Sequence, residues 1–170
     1  MAGCAVLELD RSEDARGFFA RSFCASELAA AGIDMTIVQS NWSGNRVAGT
    51  LRGMHYQLAP HGEPKIVSCV RGRALDVFVD VRPESPTYLA WDSVELDEVS
   101  LRAVYLPIGI AHGFQTLADD TLLQYFMGAT YEASAARGLR YDDPTLAISW
   151  PLPPREVSTR DQSWPLLARA

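Results

Sequence analysis

Hydrophobic residues recur at every second position in short segments, and each segment is closed by Gly, Pro, Asn or Asp. Side chains of a strand point alternately to its two faces, so many short segments of this period predict an all-β sandwich or barrel. The clearest runs from Ala74 to Val81, with Leu75, Val77, Val79 and Val81 on one face and Asp76, Phe78 and Asp80 on the other. This is the pattern of a half-buried strand. Lys65–Val70 reads as the strand before it, and Arg71-Gly72-Arg73 as the turn joining the two in a hairpin. Further strands are expected within Met1–Asp10 and at Phe18–Phe23, Thr36–Asn41, Thr50–Gln57, Trp91–Leu96, Val104–Leu106, Gly113–Leu117 and Thr121–Met127. Ser26–Gly32 is the exception: Ala and Leu favour a short helix that Gly32 can close. After Asp143-Pro144 the chain becomes proline-rich, and Trp150-Pro151-Leu152-Pro153-Pro154 should run irregularly over the surface.

Composition bounds the partners. The chain has 170 residues, 48% hydrophobic and 21% charged, which is enough for one core and predicts a single domain over 1–170. Fifteen Lys and Arg stand against 21 Asp and Glu, a net charge of -6, and the basic residues are scattered. A nucleic-acid duplex is a poor partner for such a surface, although a local cluster of cations could hold a small anion. Cys4, Cys24 and Cys69 are odd in number and form no C-x-x-C pair, which argues for a reducing cytoplasm over a disulfide framework or structural zinc. The start carries no basic and apolar leader pattern, and no apolar run approaches the roughly 20 residues that cross a bilayer, so no membrane contact is expected.

The densest polar cluster is Gly49–Gln57, with Arg52 and His55, followed by Lys65. On neighbouring strands these three would make an electropositive cavity holding one group that exchanges protons near neutral pH, which suits an anionic substrate. A buried structural histidine flanked by rim charges explains the same residues equally well. His112, presented by the Pro107/Gly109 turn, reads on its own as structural. His55, His61 and His112 show no ligand spacing, so neither a metal nor any other cofactor is expected.

Several longer motifs stand in order along the chain. They are Asp14-x-Arg16-Gly17-x-Phe19, Gln39-x-Asn41, Leu51-Arg52-Gly53-Met54-His55-Tyr56-Gln57, Lys65, Asp76-Val77-x-Val79-Asp80-Val81-Arg82 and Ser85-Pro86-Thr87. Pro107-x-Gly109-x-Ala111-His112-Gly113-Phe114, Asp142-Asp143-Pro144 and Ile148-x-Trp150-Pro151 follow. Together, from about Asp14 to Asp161, they resemble the dTDP-4-dehydrorhamnose 3,5-epimerase family. The resemblance implies a cupin-type double-sheet jelly roll, a homodimer, no metal, and a nucleotide-diphosphate-linked 4-keto-6-deoxyhexose as substrate. It implies His55 as base with Asp161 orienting it, Tyr125 as acid on the opposite face, and Lys65 stabilising the enolate oxygen. Arg16, Gln39, Asn41, Arg52, His112 and Arg160 match positions holding the sugar or its diphosphate, and Tyr131 the aromatic under the base. Arg21 stands where well-known members carry a glutamate that contacts the nucleotide, and Tyr125–Tyr131 lacks their double tyrosine.

The chemistry is coherent, because a C4 carbonyl acidifies the hydrogens at C3 and C5, and a base facing an acid can invert either centre through an enolate. Two other readings compete: a 3,4-ketoisomerase on the same fold and a non-catalytic nucleotide-sugar binding module. The functional reading requires a positive pocket built from Arg16, Arg52, Lys65 and Arg160. It also creates a conflict, since Arg52 and His55, three residues apart, face opposite sides of a regular strand. A bulge or twist at Gly53-Met54 is predicted to bring both to one cavity.

Overall fold

The computed structural model describes residues 1–168. Two five-stranded antiparallel sheets pack face to face as the double-sheet jelly roll of the cupin type, with few helices. The first sheet is ordered β1 (Ala5–Leu7), β9 (Ala103–Leu106), β6 (Lys65–Arg71), β11 (Thr121–Met127), β4 (Gln39–Asn45). The second is ordered β12 (Ala136–Gly138), β5 (Leu51–Gln57), β10 (Ile110–Thr116), β7 (Arg73–Asp80), β8 (Trp91–Asp97). A separate hairpin joins β2 (Arg11–Asp14) to β3 (Gly17–Ala20), and two short helices, α1 (Ala25–Ala30) and α2 (Thr159–Ser163), lie outside the sheets.

Apolar side chains from both sheets fill the space between them: Val67, Cys69, Val104, Leu106 and Leu123 from the first, Ala74, Phe78, Leu96, Ile110 and Phe114 from the second. Each sheet also has a covered outer face. Ile66, Ala103 and Phe126 lie under Leu28 of α1 and the segment holding Ile33 and Met35. Met54, Val77, Val79 and Ala111 lie under Leu139, Leu146, Ile148 and Trp150 of the C-terminal segment. Trp150 is tied down through its indole N–H to the Tyr141 carbonyl, and Leu152 exchanges hydrogen bonds with the Gln115 side chain.

Several expectations need correction. β6 and β7 do not form a hairpin: β6 pairs with β9 and β11, while β7 pairs with β8 and β10. Gly72, at φ +79°, carries the chain from one sheet to the other. Nor is β7 half-buried, since both its faces are covered; Val77 and Val79 face the C-terminal segment and Asp76, Phe78 and Asp80 point inward. The inward carboxylates are tolerated because each is hydrogen-bonded, Asp80 to Arg82, Ser85 and Thr87 and Asp76 to His112. The first strand shrinks to Ala5–Leu7. Phe18–Phe23 contracts to Gly17–Ala20 and Thr36–Asn41 shifts to Gln39–Asn45. After Asp143-Pro144 the chain runs irregularly as expected, with only the short helix α2 beyond the prolines among the described residues.

Candidate active site

The predicted break between Arg52 and His55 is present. β10 pairs His112 with His55 and Phe114 with Arg52, so three steps along β5 face two along β10. The extra residue resets the alternation, and both side chains line one cavity of about 520 Å³ that opens between the sheets. Gly53, at φ +126°, makes this possible: a Cβ there would overlap the Gly113 backbone and approach the His112 carbonyl to 2.9 Å.

His55 forms the wall contributed by the second sheet, with its side chain 44% exposed to the cavity. Its Nε2 lies 2.6 Å from Oδ1 of buried Asp161. Asp161 is the third residue of α2; its own N–H donates to the Ser158 hydroxyl that caps the helix, and its Oδ2 accepts from the Gly53 N–H at 3.3 Å. Burial alone would raise the Asp161 pKa, but the contacts from His55, Gly53 and Ser158 outweigh it and hold the carboxyl below its ordinary value. An ionised carboxylate only accepts, so Nε2 carries the hydrogen and Nδ1 keeps the lone pair that can take a proton.

The opposite wall comes from the first sheet. Lys65, buried at the start of β6, donates to Glu63 at 2.9 Å. Gln57 holds the other Glu63 oxygen at 3.1 Å and is itself fixed by the Glu132 N–H and the Thr130 carbonyl. Half-buried Tyr125 on β11 meets the His112 ring edge-on at 5.8 Å between centroids, and His112 Nε2 lies 2.7 Å from Asp76 Oδ2. Burial pushes the Tyr125 phenol well above its ordinary pKa and the Asp76 anion adds to this, while Arg52 opposes it. The hydroxyl therefore stays protonated at neutral pH and is available as a donor. Asp76 is also raised by burial, against the pull of His112 and Lys65, and its Oδ1 has no partner among the described residues.

Arg52 reaches the mouth of the cavity and is steered there by Asn45 Oδ1, which accepts from its Nε at 2.9 Å. Gln39 and Asn41, hydrogen-bonded to each other, line the same mouth with Tyr131 and Arg160; the Arg160 guanidinium donates to the Tyr131 hydroxyl at 3.3 Å. Ten of the twelve predicted site residues, His55, Tyr125, Lys65, Gln39, Asn41, Arg52, His112, Tyr131, Arg160 and Asp161, thus gather at this cavity or directly on a group lining it.

Arg16 and Arg21 do not. Arg16 pairs with Asp14 at the tip of the β2–β3 hairpin and Arg21 with Glu27 of α1, both away from the cavity of their own chain. The positive pocket is therefore built from Arg52, Lys65 and Arg160 with Arg137, a residue sequence reasoning did not single out. Glu63 and Trp42 were also missed. Glu63 stands two residues from Lys65 in a Gly-Pro stretch that reads as a plain loop.

The profile of the dTDP-4-dehydrorhamnose 3,5-epimerase family matches residues 1–169. A dTDP-4-dehydrorhamnose 3,5-epimerase of Sinorhizobium fredii is 42% identical over 155 residues, 91% of this chain and 80% of that protein. A dTDP-4-dehydrorhamnose 3-epimerase of Streptomyces niveus is 42% identical over 162 residues, 95% of this chain and 78% of that one. The crystal structure of the Bacillus anthracis 3,5-epimerase with TDP and pyrophosphate bound superposes with a TM-score of 0.95 at 36% identity, covering 97% of this chain and 94% of that one. With the family profile matched over residues 1–169, relatives at 42% identity and the fold shared with the Bacillus anthracis enzyme, the chain, its cavity walled by a histidine of one sheet backed by a carboxylate of α2 and by a tyrosine and a lysine of the other sheet, belongs to the dTDP-4-dehydrorhamnose 3,5-epimerase family.

Proposed function

We propose that this chain inverts C3, C5 or both in a dTDP-linked 4-keto-6-deoxyhexose, in the making of deoxysugars, and acts in the cytoplasm as one domain over 1–170. The observation that carries the reading is the pairing of His55 with Asp161 across the cavity from Tyr125 and Lys65. The His55 ring takes the proton next to the C4 carbonyl and the imidazolium is stabilised by the Asp161 carboxylate. The Lys65 ammonium, fixed by Glu63, meets the negative charge that develops on the carbonyl oxygen. Tyr125, kept neutral by its surroundings, returns a proton to the opposite face of the carbon, and the stereocentre inverts. Arg52, Arg137 and Arg160 supply charge-assisted partners for the diphosphate. His112, fixed by Asp76, and Gln39 and Asn41 hold the sugar, and Tyr131 stacks under the base.

The working form is a homodimer. Among the described residues the β2–β3 hairpin is hydrogen-bonded to neither sheet, and it leaves Phe18 and Phe19 54% and 72% exposed, apolar surface that a second copy would cover. β4 is the edge strand of the first sheet at the cavity rim, its outer side unpaired among the described residues, and its Trp42 is 72% exposed. Laid on that rim, a partner's hairpin would bring its Arg16 and Arg21 to the nucleotide.

Incubation with dTDP-4-keto-6-deoxyglucose in deuterated water tests the activity by NMR. The reading predicts label at C3, C5 or both with the ketone still at C4. A ketone moved to C3 would mean a ketoisomerase, and absence of label with tight dTDP binding a binding module; either result overturns the proposal.

A further inference from the structure

Trp164 stands at the C-terminal end of α2. Its indole Nε1 is buried and has no hydrogen-bond partner among the described residues, so the ring is held there by contact. That contact is with Gly138, where a Cβ would overlap Nε1 and Cε2 of the indole. Gly138 is the residue of β12 that pairs with His55, so the indole lies on the strand immediately beside the histidine. On the ring itself the Arg160 guanidinium sits 5.2 Å from the centroid, the guanidinium that also donates to Tyr131 at the cavity mouth. Between Arg160 and Trp164 comes Asp161 on its contact with His55.

A five-residue helix cannot hold itself together in water and must be pinned by its surroundings. The entry to α2 is fixed by the Leu51 N–H donating to the Glu156 carbonyl and by the Ser158 cap. Beyond the helix, the next fastening is the Leu167 N–H on Asp143. The indole is wedged between these two, against Gly138 of the strand that neighbours the histidine.

We propose that Trp164 is a positioning residue for the reaction: seated on Gly138, it fixes α2 so that Asp161 meets His55 and Arg160 meets the mouth of the cavity. It touches no reacting atom. The proposal rests on the reading of His55 as base and of Arg160 as a nucleotide contact, and its test is built to fail separately from that reading.

Trp164→Ala should lower deuterium exchange at saturating substrate about 10- to 100-fold, the scale of a catalytic group displaced by about 1 Å, and should weaken binding of dTDP. It should also free the Gly53 N–H, which donates to Asp161 Oδ2, so that its hydrogen-exchange protection falls at least roughly tenfold while the amides of β7 keep theirs. Trp164→Phe should keep most of both activities, because a ring still covers Gly138 and the lost N–H had no partner. Gly138→Ala should reproduce Trp164→Ala by lifting the ring from the other side, and the double variant should be no worse than either single one. Unchanged exchange and unchanged Gly53 protection in Trp164→Ala would overturn the proposal, as would a Trp164→Phe variant as impaired as Trp164→Ala. If His55→Ala retained exchange, the base assignment would fall by itself, and the Gly53 amide would still decide whether Trp164 positions Asp161.

Discussion

Gly53→Ala probes the feature that lets Arg52 and His55 share a cavity. At φ +126° an L side chain is strained, which costs about 1–3 kcal/mol. The new methyl would overlap the Gly113 backbone and approach the His112 carbonyl to 2.9 Å. Neither neighbour is a flexible side-chain end, so β5 and β10 must part, at a further cost of about 1–3 kcal/mol. Taking about 4 kcal/mol for the two together, and about 2–4 °C per kcal/mol for a chain of this size, the melting temperature should fall by roughly 8–16 °C. The same movement shifts His55 relative to His112 and pulls the Gly53 N–H off Asp161, so deuterium exchange in the folded variant should fall at least about 100-fold. Differential scanning fluorimetry and NMR of the exchanged sugar read the two effects. A variant that melts within about 2 °C of the parent and exchanges normally would show that the close crossing of β5 and β10 does not hold the site.

Tyr125→Phe should leave label incorporation largely intact while net inversion falls by about 10²–10⁴-fold, because only the returning proton is lost; equal loss of both, read in the same NMR experiment, would remove Tyr125 as the acid. Arg16→Ala and His55→Ala protomers, each inactive alone, should regain about a quarter of parental activity when mixed and allowed to exchange subunits, since half the dimers are mixed and carry one intact site each; no recovery in mixed dimers would deny that the hairpin serves a partner's cavity. Buried Asp80 is held well below its ordinary pKa by Arg82, Ser85 and Thr87, although its burial acts the other way. Its folded-state value is depressed, so the stability it contributes is present above the unfolded value near about 4 and is lost as pH falls toward the folded one. Asp80→Asn should therefore destabilise by about 3–5 kcal/mol at pH 7, with a smaller difference from the parent in acid denaturation at about pH 2; an equal difference at both values would refute the sign.

The strands were legible because period two is a local property, and β11 matches its expected bounds, Thr121–Met127. What joins strands was less so. A glycine between two strands looks the same whether the chain turns back or crosses to the other sheet, so the pattern around Gly72 does not distinguish a β6–β7 hairpin from the crossing that is present. Alternation in Ala74–Val81 separates the two faces of β7 but not which face is interior, because that depends on His112 of β10 reaching Asp76 and on Arg82, just past the strand, folding back onto Asp80. The register break at Gly53 could be read from spacing once Arg52 and His55 were required in one cavity. Asp161, Tyr125 and Tyr131 carried no signal of their own and were legible only through the family resemblance. Arg137, Glu63 and Trp42 lie in β12, a loop and an edge strand whose short or polar patterns mark no site, and only the closure of the two sheets brings them to the cavity. Trp164 was invisible for a similar reason, since its seat is the missing side chain of Gly138.

The central claim is that the His55 ring, set by Asp161, removes the proton beside the C4 carbonyl. Single-variant exchange in deuterated water tests it most directly: parent, His55→Ala and Asp161→Asn are incubated with dTDP-4-keto-6-deoxyglucose, and label at C3 and C5 is followed by NMR while circular dichroism verifies folding. Folded His55→Ala should lose label by at least about 10²–10⁴-fold, with a smaller loss in Asp161→Asn. Label appearing in His55→Ala at a rate near that of the parent would contradict that claim.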